Sequence, residues 1–349
     1  GSGFLTAFAA QILIAPVADR GHARRLIFAG VAANVAGLLL MAFGTSLTPI
    51  LVGRLVSGIG IGAALPAIRR IVILADPENL GQNLGRLLSA DVFGFALGPA
   101  VSAVLVGPFG LSAPFIVVST VTILLLPPVF TIAVTETADD TGPRLALDLL
   151  RSRVLGGAVV LGAAVFLMIG GFDALWDVVH EDLETADWMA NLGITLFAVP
   201  LVVLGPTGGR LAQRIGPFRI AAAGLLAGAA FMFAYGQLPS GGWIFTVAMV
   251  HALSDGLTVA SSGVAVAMAV PEERQAGAQG IIGAAQALTA GITAIIIGGI
   301  YDGPGRAAAY TTIAAGMVAF VVVGLWLAAP FVWGAQRPTR EQRAAIVEG

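Results

Sequence analysis

The stretch Ala15-Pro16-Val17-Ala18-Asp19-Arg20-Gly21-His22-Ala23-Arg24-Arg25 joins two apolar segments, one running into it and one leaving at Leu26. It crowds one acid and three arginines into a connection too short to be a domain. The pattern recurs 194 positions later, with Asp19 falling on Gln213, as Gly208-Gly209-Arg210-Leu211-Ala212-Gln213-Arg214-Ile215-Gly216-Pro217-Phe218-Arg219. An internal repeat constrains the architecture more than any local reading does. Two basic hairpins in matching positions predict two similar halves.

Composition sets the medium. The 349 residues are 57% hydrophobic and 11% charged, with a mean hydropathy of +0.92. Soluble domains carry about 25% charged residues, so this chain reads as a membrane protein. All 18 basic residues are arginine. The absence of cysteine excludes a disulfide, a thiolate metal site and a cysteine nucleophile. The 46 glycines suit helices that approach closely through small side chains.

A spanning helix needs about 20 mainly apolar residues. Candidate spans fall at 2–18, 26–45, 48–70, 84–106, 113–133, 154–178, 189–208, 219–237, 243–269, 278–299 and 308–333. Their length and continuity predict helices, not the alternating ten-residue strands of a barrel. The fold class expected is an all-α polytopic membrane protein with eleven visible spans. The repeat sets span one against span seven, so two equal halves of six would place one more span ahead of Gly1. A chain lacking its first helix in this numbering is the reading preferred; an eleven-span protein is the other.

Sixteen of the 18 arginines lie in the connections 19–25, 69–86, 134–153, 209–219 and 270–277 and in the tail 334–349. By the positive-inside rule those loops and the C-terminus are cytoplasmic, in a multi-pass protein of the inner membrane. Four regions are expected: an N-terminal bundle at 1–133, a cytoplasmic linker at 134–153, a C-terminal six-helix bundle at 154–333, and a cytoplasmic tail at 334–349. Within the linker, the apolar spacing of Arg144 to Arg151 predicts a short helix lying on the membrane surface.

The opening stretch resembles the signature of the major facilitator superfamily, Gly-x-Leu-Ala-Asp-Arg-x-Gly-Arg-Arg. Ala15, Val17, Ala18, Asp19, Arg20, Arg24 and Arg25 sit on or near its positions; Ala15 replaces the leading glycine, and Gly21-His22-Ala23 disturbs the spacing. In the second copy Gly209, Leu211, Ala212, Arg214 and Gly216 fit, while Gln213 replaces the acid. The resemblance implies two pseudo-symmetric six-helix bundles around a central cavity. It also implies a latch of Asp19, Arg20, Arg24, Arg25 and Arg214 between the halves. Two further stretches are similar to family motifs. Arg54 with Gly58, Gly60 and Gly62 looks like an Arg-x-x-x-Gly-x-Gly pattern, and Gly94-x-x-x-Gly98-Pro99 resembles a motif of proton-coupled drug exporters. These glycines and Pro99 are expected to serve helix packing.

Ionisable residues inside spans are functional candidates by default. Arg54, Asp91, Asp173, His251 and Asp255 qualify, with Trp176 as an aromatic neighbour, for proton coupling or for a substrate cavity. His251 and Asp255, at i and i+4, share one face. The function expected is proton-coupled export of small, largely hydrophobic compounds. No cofactor, metal or nucleic acid is expected, and the partners are the bilayer and a small-molecule substrate of a monomer. Two alternatives stand beside it. An importer or uniporter of a polar nutrient such as a sugar would draw on Asn34, Gln286 and Trp176, and a transporter-like fragment or sensor would not transport. An enzyme is not expected, because His22, His180 and His251 lie on separate segments without metal-type spacing.

Overall fold

The computed structural model describes residues 2–131 and 145–332. Every regular element among them is helical. The α-helices are α1 (Ser2–Leu13), α2 (Ala23–Phe43), α3 (Leu47–Ala75), α4 (Leu80–Phe109), α5 (Ala113–Leu124), α6 (Arg153–Asp182), α7 (Asp187–Ile215), α8 (Pro217–Gln237), α9 (Gly241–Thr258), α10 (Ser261–Ala269), α11 (Gln275–Asp302) and α12 (Arg306–Val332). Among the described residues, nine helices are long and apolar enough to cross a membrane, and two shorter apolar ones lie at Gly3–Leu13 and Ala113–Val129. The short ones occupy the first and fifth of the eleven expected positions. The expected surface helix at Arg144–Arg151 is a 3-10 turn over Ala146–Arg151, with Ala146 and Leu149 buried. Arg144 and the tail 334–349 lie outside the described residues.

One expected span is interrupted. The segment 243–269, within one of those nine spans, is kinked: its α-helix ends at Thr258 and resumes at Ser261. The Thr258 hydroxyl donates to the Ser254 carbonyl at 2.9 Å, and the Ser261 and Ser262 hydroxyls donate back to Thr258 and Val259 carbonyls. Such back-bonding competes with the main-chain ladder and bends helices.

The chain forms two compact units: Gly1–Pro77, Phe95–Asp148 and Glu272–Ala284 make the first, and Glu78–Gly94, Leu149–Pro271 and Ala285–Gly349 the second. Relative to the halves expected from the repeat, the units exchange two segments. The start of α4 groups with the second unit, and the start of α11 with the first.

In the first unit α3 spends two faces on backbone contact. Gly58 and Gly62, four apart, face α1: a Cβ on Gly62 would meet the Ala7 carbonyl oxygen at 2.6 Å, and one on Gly58 would run into Gly3 and Thr6. Gly53 and Gly60 lie on the opposite face against α2, where a Cβ on Gly53 would meet the Gly37 carbonyl oxygen at 2.6 Å and one on Gly60 would collide with Gly30. The hydroxyl of Ser57 donates to Asn34 Oδ1 across the same α2–α3 contact at 2.5 Å. Without water to expel from between them, helices in a bilayer associate through such close packing and interhelical hydrogen bonds.

The second unit follows the same rule. A Cβ on Gly157 of α6 would meet the Gly324 carbonyl oxygen of α12 at 2.6 Å, and one on Gly256 of α9 the Pro200 carbonyl oxygen of α7 at 2.6 Å. Gly94 and Gly98 differ: a Cβ on either would meet nothing within 4 Å, and Pro99 is exposed. The close packing expected at these two glycines and Pro99 is therefore not made among the described residues. Gly60→Ala should lower the stability of the purified protein by about 1–3 kcal/mol, the usual range for overpacking. Gly98→Ala should leave it unchanged; thermal unfolding in detergent checks both.

Candidate functional site

Two polar centres stand out, one in each unit. The first is built on the turn Ala18–His22, which closes because Gly21 adopts φ 80°, a left-handed conformation that glycine enters without steric penalty. The turn carries Asp19 into a small apolar cluster of Ala18, Ala23, Ile27, Ala67 and Ala276. A carboxylate buried there needs donors. It has three: Oδ1 accepts from Arg70 Nε at 3.1 Å and from the Ala276 amide at 2.8 Å, and Oδ2 accepts from the Gly277 amide at 2.7 Å.

Those amides are the second and third residues of α11, among the first four N–H groups that no helix can satisfy internally. A carboxylate at that position also meets the positive end of the helix dipole. Small residues make room for it. A Cβ on Gly277 would come to 2.6 Å of the Ala146 Cβ and 3.3 Å of Asp19 Oδ2, and one on Gly280 to 2.6 Å of the Ala15 Cβ. Beside the centre, Arg274 grips Asp148 through two parallel bonds of 3.0 and 2.7 Å.

The arginine that meets Asp19 is Arg70, fully buried, although hydropathy alone places it among the charges of the connection 69–86. A signal was present: Ala63, Ala67 and Arg70 repeat at helical spacing, which sets Arg70 on the buried face of α3. Of the arginines expected in a latch, Arg20 and Arg24 are half-buried, and Arg25 and Arg214 are exposed. The second copy of the hairpin forms a neutral version within its own unit. Gln213 Oε1 accepts from the Gly81 amide at 2.8 Å, and its Nε2 donates to the Glu78 carbonyl at 3.0 Å, at the start of α4.

The second centre lies in the last two turns of α9. His251 and Asp255 are 0% and 2% exposed, with Nε2 and Oδ1 3.4 Å apart. Tyr235 of α8, absent from the sequence reading, places its hydroxyl 3.0 Å from His251 Nδ1. With that hydroxyl donating to Nδ1, the ring proton sits on Nε2, toward Asp255. Aromatic rings enclose the group: Phe231 stacks on the imidazole at 4.7 Å between centroids, Phe197 meets it edge-on at 5.5 Å, and Tyr235 packs against Tyr310 at 5.6 Å. A small cavity beside Asp255, lined by Met168, Gly224, Leu225 and Thr258 among others, has room for about one water.

The remaining candidates separate. Trp176 of α6 is buried, donates from Nε1 to the Ala190 carbonyl at 2.9 Å, and packs on Phe172 at 5.0 Å. Asp173 and its neighbour Asp177 lie on the exposed face of the same helix, so they do not join Trp176. Arg54 on α3 and Asp91 on α4 are exposed in their respective units; for Asp91 this replaces the buried position expected.

Helices of membrane-spanning length that bury a few ionisable groups against small and aromatic residues define a polytopic membrane protein. The family model described as Major Facilitator Superfamily matches the chain twice, over residues 1–179 and 158–348, and the chain belongs to that superfamily of membrane transporters. Two curated relatives, the MFS-type transporter SLC18B1 of Rattus norvegicus and of Mus musculus, are each 34% identical over 74 residues. The aligned stretch is 21% of this chain and only 16% of each relative. Solved structures share the fold at low identity. The human organic anion transporter MFSD10 (TETRAN) superposes with a TM-score of 0.79 at 16% identity, covering 92% of this chain and 82% of that one. The E. coli fucose:proton symporter FucP gives 0.75 at 15%, covering 93% and 90%.

If Asp19 is what holds the start of α11, then Asp19→Ala should accelerate hydrogen exchange at the Ala276 and Gly277 amides. The expected factor is at least about tenfold, because each hydrogen bond to a charged group contributes about 1.5–3 kcal/mol. Exchange deeper in α11 should change little. Native-state exchange read by mass spectrometry checks both.

Proposed function

We propose that the chain exports small, largely hydrophobic compounds across the cytoplasmic membrane by alternating access, in exchange for protons. It acts as a monomer with its C-terminus in the cytoplasm. The observation that supports this most is the buried group of His251, Asp255 and Tyr235. A histidine and a carboxylate buried side by side among rings and hydrocarbon are the kind of ionisable pair that serves a proton relay or a ligand site inside a membrane. Phe172, Phe197 and Phe231 give a cationic ligand apolar and cation–π surface.

In the same reading the Asp19 junction is the latch, made in one state of the cycle and opened in another. Its bonds to Ala276 and Gly277 are to the first turn of one helix, so a small displacement of that helix end would break all of them together. Orientation follows from the arginine-rich connections, which face the cytoplasm.

A sugar importer is less well supplied. The Trp176 N–H is committed to the Ala190 carbonyl, and Asn34 Oδ1 already accepts from Ser57. Two of the three polar groups that reading would use are thus engaged inside the protein. The fucose:proton symporter shares the fold at 15% identity, which carries no substrate across.

In proteoliposomes, adding a lipophilic fluorescent dye from a panel should drive proton movement. Asp255→Asn should reduce that movement by at least about tenfold, as loss of an essential proton carrier does, and Tyr235→Phe should reduce it less. Dye export that survives collapse of the pH gradient would sink the proposal.

A further inference from the structure

The start of α6 and the end of α12 meet at one end of the second unit. The guanidinium carbon of Arg153, the first residue of α6, lies 4.8 Å from the ring centroid of Trp326 on α12. That ring is 63% exposed, on a helix otherwise apolar. Arg153 is itself exposed and makes no ion pair among the described residues. A cation–π contact of this kind uses the charge of the guanidinium and leaves N–H donors for an anion.

The surroundings favour an anion with a hydrocarbon tail. Val318, Val322 and Trp326 follow one another at four-residue spacing and are 41%, 62% and 63% exposed, so they form one outward stripe along α12. The stripe runs from Trp326 away from the helix end, in the direction an acyl chain would take. The two helices beneath are locked backbone to backbone at Gly157 and Gly324, so the corner is a fixed surface.

Charge is uneven along the unit. Within the second unit, the described residues from Arg151 to the end of α8 place Arg151, Arg153, Arg210, Arg214 and Arg219 at this end. The opposite end carries Asp177, Glu181, Asp182, Glu184 and Asp187. Arg219 also donates to the Val332 carbonyl at 3.1 Å, fixing the last turn of α12.

We propose that this corner binds an anionic glycerophospholipid, with the Arg153 guanidinium on the phosphate and the acyl chain along Trp326, Val322 and Val318. A zwitterionic lipid brings a cationic group that the surrounding arginines repel. A free phosphate or glycerol phosphate lacks the chain that the stripe receives. The inference is independent of what the protein transports.

The test uses the full chain in vesicles containing either phosphatidylglycerol or phosphatidylcholine brominated on the acyl chain. Quenching of Trp326 fluorescence is isolated by subtracting the signal of Trp326→Phe. Phosphatidylglycerol should occupy the corner about fivefold more strongly, the factor expected for one arginine near an anionic lipid. High salt should shrink that preference. Arg153→Gln should abolish the preference while leaving quenching by phosphatidylcholine intact, which also shows that the variant is folded. Arg153→Lys should retain most of it. Equal quenching by both lipids in the unaltered protein, or a preference unchanged in Arg153→Gln, would overturn the proposal. So would displacement of the lipid by glycerol phosphate at concentrations matching the lipid.

Discussion

The first unit depends on how one carboxylate is kept out of water. Taking Asp19 into an alanine-lined cluster costs several kcal/mol by desolvation. The return comes from three short bonds, one to a guanidinium and two to amides at a helix end that had no partner of their own. Terms of similar size and opposite sign leave a small net stability, and the loss of a donor leaves the buried carboxylate undercompensated. Such a junction favours having all its donors in place. Much of the local sequence serves this condition: a glycine at 21 turns the chain, glycines at 277 and 280 let the helix start come close, and alanines at 15 and 18 leave room.

Gln213 shows what the same geometry does without charge. It forms two hydrogen bonds to the start of α4 where Asp19 forms three to α11 and Arg70. A neutral amide costs less to bury, and its bonds contribute about 1 kcal/mol each, whereas those to an ion contribute about twice that. The repeat has therefore kept a tether in both halves and placed the charged one in the first. Only the Asp19 tether can respond to protonation of its anchoring side chain.

How much of this was legible in the sequence varies with the physics involved. Spans, the repeat and the shared face of His251 and Asp255 followed from hydropathy and helical period, which act locally. So did the glycines of α3, whose spacing already assigns 58 and 62 to one face and 60 to another. Partners across space were harder. Nothing local links Asp19 to residues 276 and 277, more than 250 positions on. Tyr235 was unread because a tyrosine in an apolar run looks like core until a histidine is seen beside it. The turn at residues 259–260 and the outward face of Asp173 show the limit of hydropathy: it finds a span but fixes neither its continuity nor its rotation. Gly94, Gly98 and Pro99 make the same point about motifs, because the pattern is present and the packing is not.

The exclusive use of arginine acquires a structural meaning beyond topology. A lysine would satisfy the positive-inside rule equally well, since only charge enters it. It would not do what the described arginines do. Arg70 offers Nε to a carboxylate while fully buried, Arg274 holds Asp148 with two parallel bonds, Arg219 reaches a helix-end carbonyl, and Arg153 sits over an indole. Each uses planarity, several fixed donors, or the weaker hydration of a guanidinium, none of which an ammonium supplies. A protein with so few polar groups gains from side chains that can bond and stack at once. The charges that orient this chain in the membrane are the same ones that hold its helix ends in place.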